Sequence, residues 1–264
     1  MHNISKRKKE ADTMKELRRK QIANYIAKQN SVTMTELVDT FQVSMNTIRS
    51  DISYLVRTGA VVKIYGGVQS AADIPVPYFT SRATLNMGKK KAIARKAAEQ
   101  IYENDIIYVD SGTTTMYLLD YVDPKLPVTV ITPNLYVITS LANKPKVKLV
   151  VLPGVLDRRT NSLKETNTFL ELSKYQIHKA FMACSGVTPD GHISVSTYLE
   201  SEIKKTAVQK SEKSFLLADS EKFLDSRLLS YGTISQMSCV YSDAGLHSEP
   251  LQMLKQYQVP YILV

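Results

Sequence analysis

Residues 33–67 read TMTELVDTFQVSMNTIRSDISYLVRTGAVVKIYGG, and this stretch predicts two short helices, a turn between them and a β-hairpin. Apolar residues recur at helical spacing in both helices: Leu37, Val38 and Phe41 in the first, and Ile48, Ile52 and Leu55 in the second. This spacing gives each helix one buried face. Ser44 is a good N-cap for the second helix, and Gly59 ends it. Alternation up to the Gly66-Gly67 pair predicts a short β-wing, so the whole stretch is typical of a winged helix-turn-helix.

Polar residues around the second helix are of types that read base edges in DNA. An exposed Arg contacts guanine through two hydrogen bonds, an Asn contacts adenine, and small side chains pack on a thymine methyl group. The predicted DNA-facing residues are Thr33, Ser44, Met45, Asn46, Thr47, Arg49, Ser50, Lys63 and Tyr65. Helix-turn-helix folds also serve protein contacts, which is the alternative interpretation. The predicted exposure of Asn46, Arg49 and Lys63 favours DNA.

The net charge of +9 is concentrated at the N-terminal end of the chain. Residues 1–70 contain 12 Lys and Arg against 6 Asp and Glu, an excess of +6, whereas the remaining residues contain 22 against 19, an excess of +3. A basic segment beside a nearly neutral one is expected where one part of a protein meets the phosphate backbone of DNA. Lysines present only for solubility would not cluster in this way.

Length and composition predict a cytoplasmic protein of two domains. The chain has 264 residues, 44% of them hydrophobic, and no apolar run approaches the length of a membrane span. The charged N-terminus lacks the apolar core of a signal peptide. Cys184 and Cys239 lie in apolar runs and are expected to be buried thiols rather than a disulfide, a metal pair or a nucleophile. The histidines lack metal-ligand spacing, so we expect neither a metal nor a cofactor.

Four segments are predicted along the chain. Residues 1–13 include the run Lys6-Arg7-Lys8-Lys9 and are expected to form a flexible basic arm. Residues 14–70 form the winged helix-turn-helix domain, residues 71–86 an extended linker rich in proline, and residues 87–264 a second domain. A first helix over 14–29 would pack under the other two. The basic residues at its start are expected to contact the DNA backbone: Arg18, Arg19 and Lys20.

After the linker the pattern changes to an alternation of helices and short apolar strands. The predicted strands are Ile106–Val109, Val128–Ile131, Val147–Leu152, Ala180–Cys184, Phe215–Leu217, Cys239–Tyr241 and Tyr261–Val264. The predicted helices are Gly88–Tyr102, Leu135–Ala142, Tyr198–Lys210 and Leu251–Tyr257. This alternation predicts an α/β domain with a largely parallel sheet, and in such sheets ligands bind at the carboxyl ends of the strands.

The first of these strand ends carries the most informative motif, DSGTTT from Asp110 to Thr115. It follows the strand directly and is predicted to open a helix. A glycine flanked by hydroxyl groups at a helix N-terminus presents free N–H groups and the positive end of the helix dipole, which suit a phosphate. The motif is not a Walker loop, because it lacks the Gly-Lys-Ser/Thr ending. Ordinary helix caps are the alternative.

Two sets of residues resemble the DeoR family of bacterial repressors. The first is the run SMNTIRSDI (Ser44 to Ile52), followed by Leu55, Gly59 and the Tyr65-Gly66-Gly67 ending. That family typically has a second Arg in place of Ser50, and an Arg and a His in place of Lys63 and Tyr65. These differences fall on DNA-facing positions, so they bear on which operator sequence is bound and not on the presence of a winged helix-turn-helix. The second set is DSGTTT, Thr132-Pro133-Asn134, Pro153-Gly154, Cys184-Ser185-Gly186 and Ala218–Phe223. The resemblance covers the chain from about Leu17 to Asp243.

The resemblance implies a second domain similar to ribose-5-phosphate isomerase that senses a phosphorylated sugar. Ser111 to Thr114 would hold the phosphate, with a positive charge from Lys222. The implied effector-binding residues are Asp110, Ser111, Gly112, Thr113, Thr114, Thr132, Asn134, Gly154, Gly186 and Lys222. Arg158 and Arg159 either contact the ligand or form a solvated charge pair. Glu200, Glu202 and Lys204 are interpreted as surface pairing along a helix.

These observations support a repressor of sugar or sugar-alcohol genes that is released from its operator by a phosphorylated sugar. Its partners would be double-stranded DNA, the effector and further copies of itself in a dimer or tetramer, with no membrane. The rival hypothesis is an active sugar-phosphate isomerase with a DNA-binding appendage, for which Asp110 and Glu200 are the candidate bases. A nonspecific DNA binder is disfavoured by the large, nearly neutral second domain.

Overall fold

The computed structural model describes residues 15, 18–19, 21–29, 31–57, 61–64, 66–70 and 79–264. The chain divides into two compact units, Met1–Tyr78 and Phe79–Val264. The basic arm, Gly59 and Tyr65 lie outside the described residues. So does most of the expected linker, but its last part does not: residues 79–84 are helical.

The N-terminal unit is a winged helix-turn-helix, as predicted. In chain order its elements are α1 (21–29), β1 (Ser31–Thr33), α2 (Met34–Phe41), α3 (Met45–Arg57), β2 (Val61–Ile64) and β3 (Gly67–Ser70). The wing is an antiparallel sheet with the order β1-β3-β2, so β1 adds a strand to the predicted hairpin.

The helical spacing seen in the sequence accounts for the core of this unit. Leu37 on α2 and Ile48, Ile52 and Leu55 on α3 are all buried, together with Ile22 of α1. The turn between α2 and α3 is tight because Gln42 adopts a left-handed conformation (φ 52°) and its N–H bonds to the Val38 carbonyl at 2.9 Å. Ser44 caps α3 as predicted, since its Oγ accepts a hydrogen bond from the Thr47 N–H at 3.2 Å.

One charged residue of α3, Asp51, is buried in this unit and pairs with two arginines of the first helix. Asp51 accepts hydrogen bonds from Arg18 Nε at 2.7 Å and Arg19 Nε at 2.9 Å. The Arg19 guanidinium also lies 3.9 Å from the ring centre of Tyr54. A buried carboxylate requires such partners. Arg18 and Arg19 therefore tie the first helix to α3, and their expected contact with the DNA backbone stays a prediction.

The C-terminal unit is an α/β domain. Its helices are α4 (Phe79–Thr84), α5 (Met87–Ala98), α6 (Leu135–Leu141), α7 (Thr166–Leu172), α8 (Tyr198–Gln209) and α9 (Ser248–Gln256). Its strands are β4 (Ile106–Val109), β5 (Val128–Thr132), β6 (Val147–Val151), β7 (Val155–Asp157), β8 (Ser162–Lys164), β9 (Ile177–Met182), β10 (Gly186–Val187), β11 (His192–Val195), β12 (Ser211–Leu217), β13 (Leu229–Thr233), β14 (Cys239–Ser242) and β15 (Tyr261–Leu263).

Seven of these strands form one parallel sheet in the order β15-β14-β12-β9-β4-β5-β6, and they are the seven strands predicted from the sequence. Side chains alternate between its faces. On β4, Ile107 and Val109 pack with α5 and α6, whereas Tyr108 packs on the opposite face with α7, α8 and α9. Two small antiparallel sheets, β7-β8 and β10-β11-β13, were not predicted, because their strands are only two to five residues long.

The sheet has a topological switch point between β4 and β9. From β4 the chain moves outward through β5 and β6, then returns to β9 and moves outward the other way through β12, β14 and β15. Parallel sheets of this kind bind ligands in the crevice outside the carboxyl ends of the two strands at the switch. Here those ends are Asp110, directly after β4, and Ala183, directly after β9.

Two further findings concern helices. The helix predicted after the DSGTTT motif is a 3₁₀-helix, Thr115–Asp120, rather than an α-helix. The Thr115 hydroxyl donates a hydrogen bond to the Asp110 carbonyl at 2.7 Å. This contact folds the chain back on itself, which favours the tighter winding of a 3₁₀-helix over an α-helix. Separately, no helix among the described residues is both long enough and apolar enough to cross a lipid bilayer.

Candidate functional site

The predicted DNA-facing residues of the N-terminal unit divide into two groups. The side chains of Asn46, Arg49, Ser50 and Lys63 are exposed and make no hydrogen bond or ion pair with any described residue. Asn46, Arg49 and Ser50 lie three or four residues apart on α3, so they share the face opposite the buried Ile48. These side chains are available to a ligand.

The second group is engaged in holding the helices. Thr33 caps α2 by accepting a hydrogen bond from the Glu36 N–H at 3.1 Å. The hydroxyl groups of Ser44 and Thr47 bond to each other at 2.9 Å. Met45 and Thr47 are half-buried, although Met45 was expected to face outward. We infer that this group mainly positions α3, while Tyr65 lies outside the described residues.

In the C-terminal unit, Asp110 is a buried carboxylate at the switch point. Its Oδ2 accepts hydrogen bonds from the Ala183 N–H at 2.8 Å and from the Lys204 ammonium, and its Oδ1 accepts one from the Ser111 N–H at 2.8 Å. The Tyr108 hydroxyl lies 3.4 Å from Oδ1. Asp110 thereby ties the end of β4 to the end of β9 and to α8.

The partner of Asp110, Lys204, corrects the interpretation of Glu200, Glu202 and Lys204 as surface pairing. Lys204 is buried, donates to the Ala183 carbonyl at 3.0 Å and lies 3.6 Å from Glu200. Burial alone lowers the pKa of Lys204, but the charges of Asp110 and Glu200 and the hydrogen bond to Asp110 outweigh it and raise that pKa. Lys204 is therefore a fixed positive charge inside the unit.

The loop that follows Asp110 presents unused hydrogen-bond donors. The hydroxyl groups of Ser111, Thr113 and Thr114 make no hydrogen bond to any described residue, and neither do the backbone N–H groups of Thr113 and Thr114. Although all three residues are more than nine-tenths buried, their hydroxyl oxygens are not among the atoms sealed from solvent without a partner. The loop therefore offers five donors in one place.

Gly112 lets this loop pass close to β9. A Cβ atom at this position would lie 2.2 Å from the Cβ of Ala183. The Gly112 N–H and carbonyl both bond to the Thr115 hydroxyl at 3.1 Å. Gly112 thus shapes the loop, and its own N–H is not free for a ligand.

Thr132 and Asn134, predicted to line the sugar side, instead use their polar atoms within the protein. The Thr132 hydroxyl donates to the Val109 carbonyl at 2.6 Å. Asn134 caps α6 through its Oδ1, which accepts from the Tyr136 N–H at 3.0 Å, and its Nδ2 donates to the Asp110 carbonyl at 3.2 Å. Both lie beside Asp110, but we find that they join β5 to β4 rather than present free donors.

The remaining predicted effector residues also lie at carboxyl ends of strands. Gly154 follows β6 and has φ 147°. A Cβ atom at this position would lie 2.5 Å from the backbone nitrogen of Lys164, so the glycine permits the close pairing of β7 and β8. Gly186 begins β10, where a Cβ would lie 2.6 Å from the Asp225 carbonyl. Neither glycine touches the Ser111–Thr114 loop through a hydrogen bond between described residues.

Lys222 lies in the short 3₁₀ turn Ser220–Lys222 after β12 and has no ion-pair partner among the described residues. Its charge acts on the Cys184 thiol and on Lys90, which places it near the end of β9 and the start of α5. The turn is anchored because Lys89 donates to Ser220 Oγ at 3.1 Å and lies 2.9 Å from Asp243. An anchored but unpaired ammonium is what an anion site requires.

Three cations near this region were not among the predicted site residues: Lys90, Arg82 and Lys164. Lys90 is buried on α5 and donates to the Arg82 carbonyl. Burial lowers the pKa of Lys90 to about 8. The charge of Asp219 raises this pKa, and the charge of Lys222 lowers it. Lys164 is buried on β8. Charge alone does not reveal any of the three in the sequence, because lysines and arginines occur throughout the chain.

The two cysteines are free thiols, as expected. Cys239 is buried and Cys184 half-buried. Burial raises the pKa of the Cys184 thiol to about 12, so this group stays protonated at neutral pH. Among the described residues, no three His, Cys, Asp or Glu side chains are grouped so that they could hold a metal ion.

Comparison with known proteins places each unit in a family. Residues 18–73 match the DeoR-like helix-turn-helix domain, and residues 85–244 match the DeoR C terminal sensor domain. Among solved structures, ribose 5-phosphate isomerase A from Methanocaldococcus jannaschii is similar over 52% of this chain and 55% of that chain, with 14% identity and a TM-score of 0.38. That likeness is distant and carries no functional conclusion.

Similar proteins include three regulators that align along almost their whole length. The HTH-type transcriptional regulator IolR of Bacillus subtilis is 35% identical over 93% of this chain and 98% of its own. The L-fucose operon activator of Haemophilus influenzae is 28% identical, over 92% and 97%. The glycerol-3-phosphate regulon repressor of Escherichia coli is 27% identical, over 90% and 94%. The chain therefore belongs to the DeoR family of transcriptional regulators.

Proposed function

We propose that this regulator represses genes for the uptake or breakdown of a sugar or sugar alcohol, and that a phosphorylated sugar releases it from its operator. The relatives named above include a regulator of an L-fucose operon and a repressor of a glycerol-3-phosphate regulon, which supports this class of effector. An operator-binding role places the protein with the chromosome, in the bacterial cytoplasm.

The observation that carries the effector proposal is the set of free donors at the switch point. A phosphate group accepts several hydrogen bonds and is stabilised by a cation. The hydroxyl groups of Ser111, Thr113 and Thr114 supply donors on one strand end, and Lys222 supplies an unpaired ammonium on another. The buried cation Lys90 adds positive field close to Lys222.

The operator proposal rests on the exposed face of α3. Asn46 and Arg49 have no partner within the described protein, while the helix that carries them is fixed by its buried face and by the Asp51 pairs. A recognition helix held in this way contacts bases in the major groove. Helix-turn-helix proteins that dimerise bind two half-sites that lie one helical turn apart on the DNA. We propose that this protein is likewise a homo-oligomer and binds its operator through two half-sites.

The candidate bases of the rival isomerase hypothesis are both engaged in ion pairs. Asp110 is held by Lys204 and two backbone N–H groups, and Glu200 lies 3.6 Å from Lys204. A general base must be free to take a proton from the substrate. The full-length relatives named above are transcriptional regulators, so the chain is a regulator and not an enzyme.

The experiment that tests the proposal is fluorescence anisotropy of the protein's own upstream DNA at fixed salt. The titration is repeated with ribose 5-phosphate, fructose 6-phosphate and glycerol 3-phosphate, and with the unphosphorylated form of each. Release by one phosphorylated compound but not by its unphosphorylated form supports both domain roles. Specific binding to DNA that no phosphorylated compound alters contradicts the effector proposal, and so does tighter binding in the presence of a compound.

Arg49→Ala is expected to reduce discrimination between operator and unrelated DNA by about 1–3 kcal/mol, because it removes a base contact. The measurement is the ratio of dissociation constants for the operator and a scrambled duplex of equal length at one salt concentration. Arg49→Lys is the matched control: it keeps the charge but loses the two-pronged contact, so nonspecific affinity should persist while discrimination falls. If Arg49→Ala weakens both duplexes equally, Arg49 contacts only the DNA backbone.

A further inference from the structure

A cavity at the switch point, too narrow in this structure to admit a water molecule, lies between the predicted phosphate loop and the β7-β8 hairpin. Its walls are formed by Asp110, Ser111, Pro133, Lys164, Glu200, Ile203 and Lys204. An open cleft of about 390 Å³ adjoins it, with walls formed by Val155, Leu156, Asp157, Arg159, Lys164, Thr197, Tyr198 and Leu199. Lys164 is the side chain common to both. Lys164 therefore lies between the Ser111 loop and the open cleft.

From Lys164 a continuous chain of contacts leads away from the cavity. The Lys164 ammonium lies 2.9 Å from Asp157 Oδ2. Asp157 Oδ1 accepts a hydrogen bond from the Arg159 N–H at 2.8 Å, which shapes the turn between β7 and β8. The Arg159 carbonyl in turn accepts a hydrogen bond from Arg82 Nη2 at 2.7 Å. The hairpin thus connects the cavity to α4 in three steps.

The charges in this chain depend on one another. Burial alone would raise the pKa of Asp157, but the hydrogen bond and charge of Lys164, followed by the contacts of Arg159, outweigh it and lower that pKa. The Asp157 carboxylate is therefore ionised at neutral pH and holds the two cations on either side of it. A change in the partner of Lys164 is felt at Arg159 because both bind the same carboxylate.

The end of the chain, α4, is the first helix after residues 71–78, which join the two units. Its contacts with the rest of the sensor unit include an apolar packing contact and a hydrogen bond. Phe79 packs against Ala94, Met116 and Tyr117, the last two in the 3₁₀-helix after the phosphate loop. The Arg82 carbonyl accepts a hydrogen bond from Lys90. A change in these contacts therefore acts on the first helix of the sensor unit.

We propose that Lys164 contacts the bound effector and that the β7-β8 hairpin transmits this contact to α4 through the hydrogen bond from Arg82 to the Arg159 carbonyl. This inference rests on the proposed effector function. Oxygen atoms of a phosphorylated sugar compete with Asp157 for the Lys164 ammonium. The turn that carries Arg159 is then held differently in the two states, which is what coupling to a distant site requires. Arg82 acts as a positioning residue.

The test separates effector binding from its effect on DNA. Arg82→Lys keeps the cation but removes the planar guanidinium that reaches the Arg159 carbonyl. Effector affinity is measured by calorimetry with the compound that releases the wild-type protein. Operator affinity is measured by anisotropy with and without that compound, and a melting curve verifies that the variant is folded. Arg95→Lys, at an exposed position on α5, is the matched control.

Arg82→Lys is expected to bind the compound within about twofold of the wild type, while the fold-change in operator affinity falls at least about threefold from the roughly 5–150-fold of typical allosteric coupling. Arg95→Lys should behave as the wild type. If Arg82→Lys retains the full fold-change, the relay through Arg82 is wrong, although the proposed function stands. If the wild type binds none of the three phosphorylated compounds, the proposed function and this inference both fail.

Lys164→Met provides a second measurement at the other end of the relay. It keeps the aliphatic stem but removes the ammonium, so we expect effector affinity to fall at least about tenfold, as for loss of a charge-assisted hydrogen bond. Because the variant also removes the Asp157–Lys164 pair when no effector is bound, operator affinity without effector should shift in the direction in which effector shifts it in the wild type. Unaltered effector affinity in a folded Lys164→Met protein would show that the ligand does not reach β8, which overturns the inference.

Discussion

Lys204→Met is expected to lower the free energy of unfolding of the C-terminal unit by about 3–5 kcal/mol, the range for breaking a buried ion pair from one side. The substitution leaves the aliphatic volume nearly unchanged, so packing contributes little. It leaves the Asp110 carboxylate buried at the switch point with only the Ala183 and Ser111 N–H groups and the Tyr108 hydroxyl as donors. It also leaves the Ala183 carbonyl with Tyr231 as its remaining donor. The measurement is urea unfolding monitored by circular dichroism.

Two control variants distinguish the loss of a buried charge from other effects of the substitution. Lys174→Met removes an ammonium that is 68% exposed and paired with Glu171 on the surface, and it should have little effect on the free energy of unfolding. Asp110→Asn combined with Lys204→Met replaces both charges by neutral groups, so it should recover much of the lost stability. If Lys204→Met costs no more than Lys174→Met, the pair does not hold the two halves of the sheet together.

Lys204 also shows why part of the site was hidden in the sequence. Glu200 and Lys204 are four residues apart, the spacing of ordinary surface pairs, and that spacing was the basis for the wrong interpretation. The informative signal was the apolar stripe: Ile203, Ala207 and Val208 flank Lys204 on the same helical face, and all are buried. A lysine inside such a stripe must find a buried partner. Which carboxylate it finds depends on the sheet order, which periodicity does not give.

The elements themselves were largely predictable because their apolar periodicity is local. Ile48, Ile52 and Leu55 define the buried face of α3, and the seven apolar runs define the parallel sheet. Polar contacts between distant segments were not predictable in this way. Asp51 lies three residues after Ile48 and four before Leu55, on the buried face of α3, but periodicity does not show that its partners are Arg18 and Arg19, more than thirty residues earlier.

Within the predicted effector site, residue type alone did not separate ligand donors from structural hydroxyls. Thr114 and Thr132 are both threonines at the carboxyl end of a strand. The Thr132 hydroxyl donates to the Val109 carbonyl, whereas the Thr114 hydroxyl makes no hydrogen bond to any described residue. The difference arises from the path of the backbone after each strand. Only the free hydroxyl remains a candidate for binding an effector.

Thr114→Val should therefore strongly weaken the response to a phosphorylated sugar while leaving DNA affinity intact. Valine has the same shape as threonine but no hydroxyl, and the hydroxyl makes no internal hydrogen bond whose loss would destabilise the protein. Loss of one hydrogen bond to a charged phosphate costs about 1.5–3 kcal/mol, which corresponds to a loss of effector affinity of roughly 10–150-fold. The measurement is operator release by anisotropy over a range of effector concentrations.

Thr129→Val is the matched control for this prediction, because Thr129 lies at the opposite end of β5 and its hydroxyl also makes no hydrogen bond to the described residues. The same chemical change there should leave both effector response and DNA affinity unaltered. Ser111→Ala combined with Thr114→Val removes two of the free hydroxyl groups, so release should be lost at every concentration tested. In the double variant the loop retains only its backbone donors and the Thr113 hydroxyl. If release is nevertheless unchanged, the phosphate is bound elsewhere.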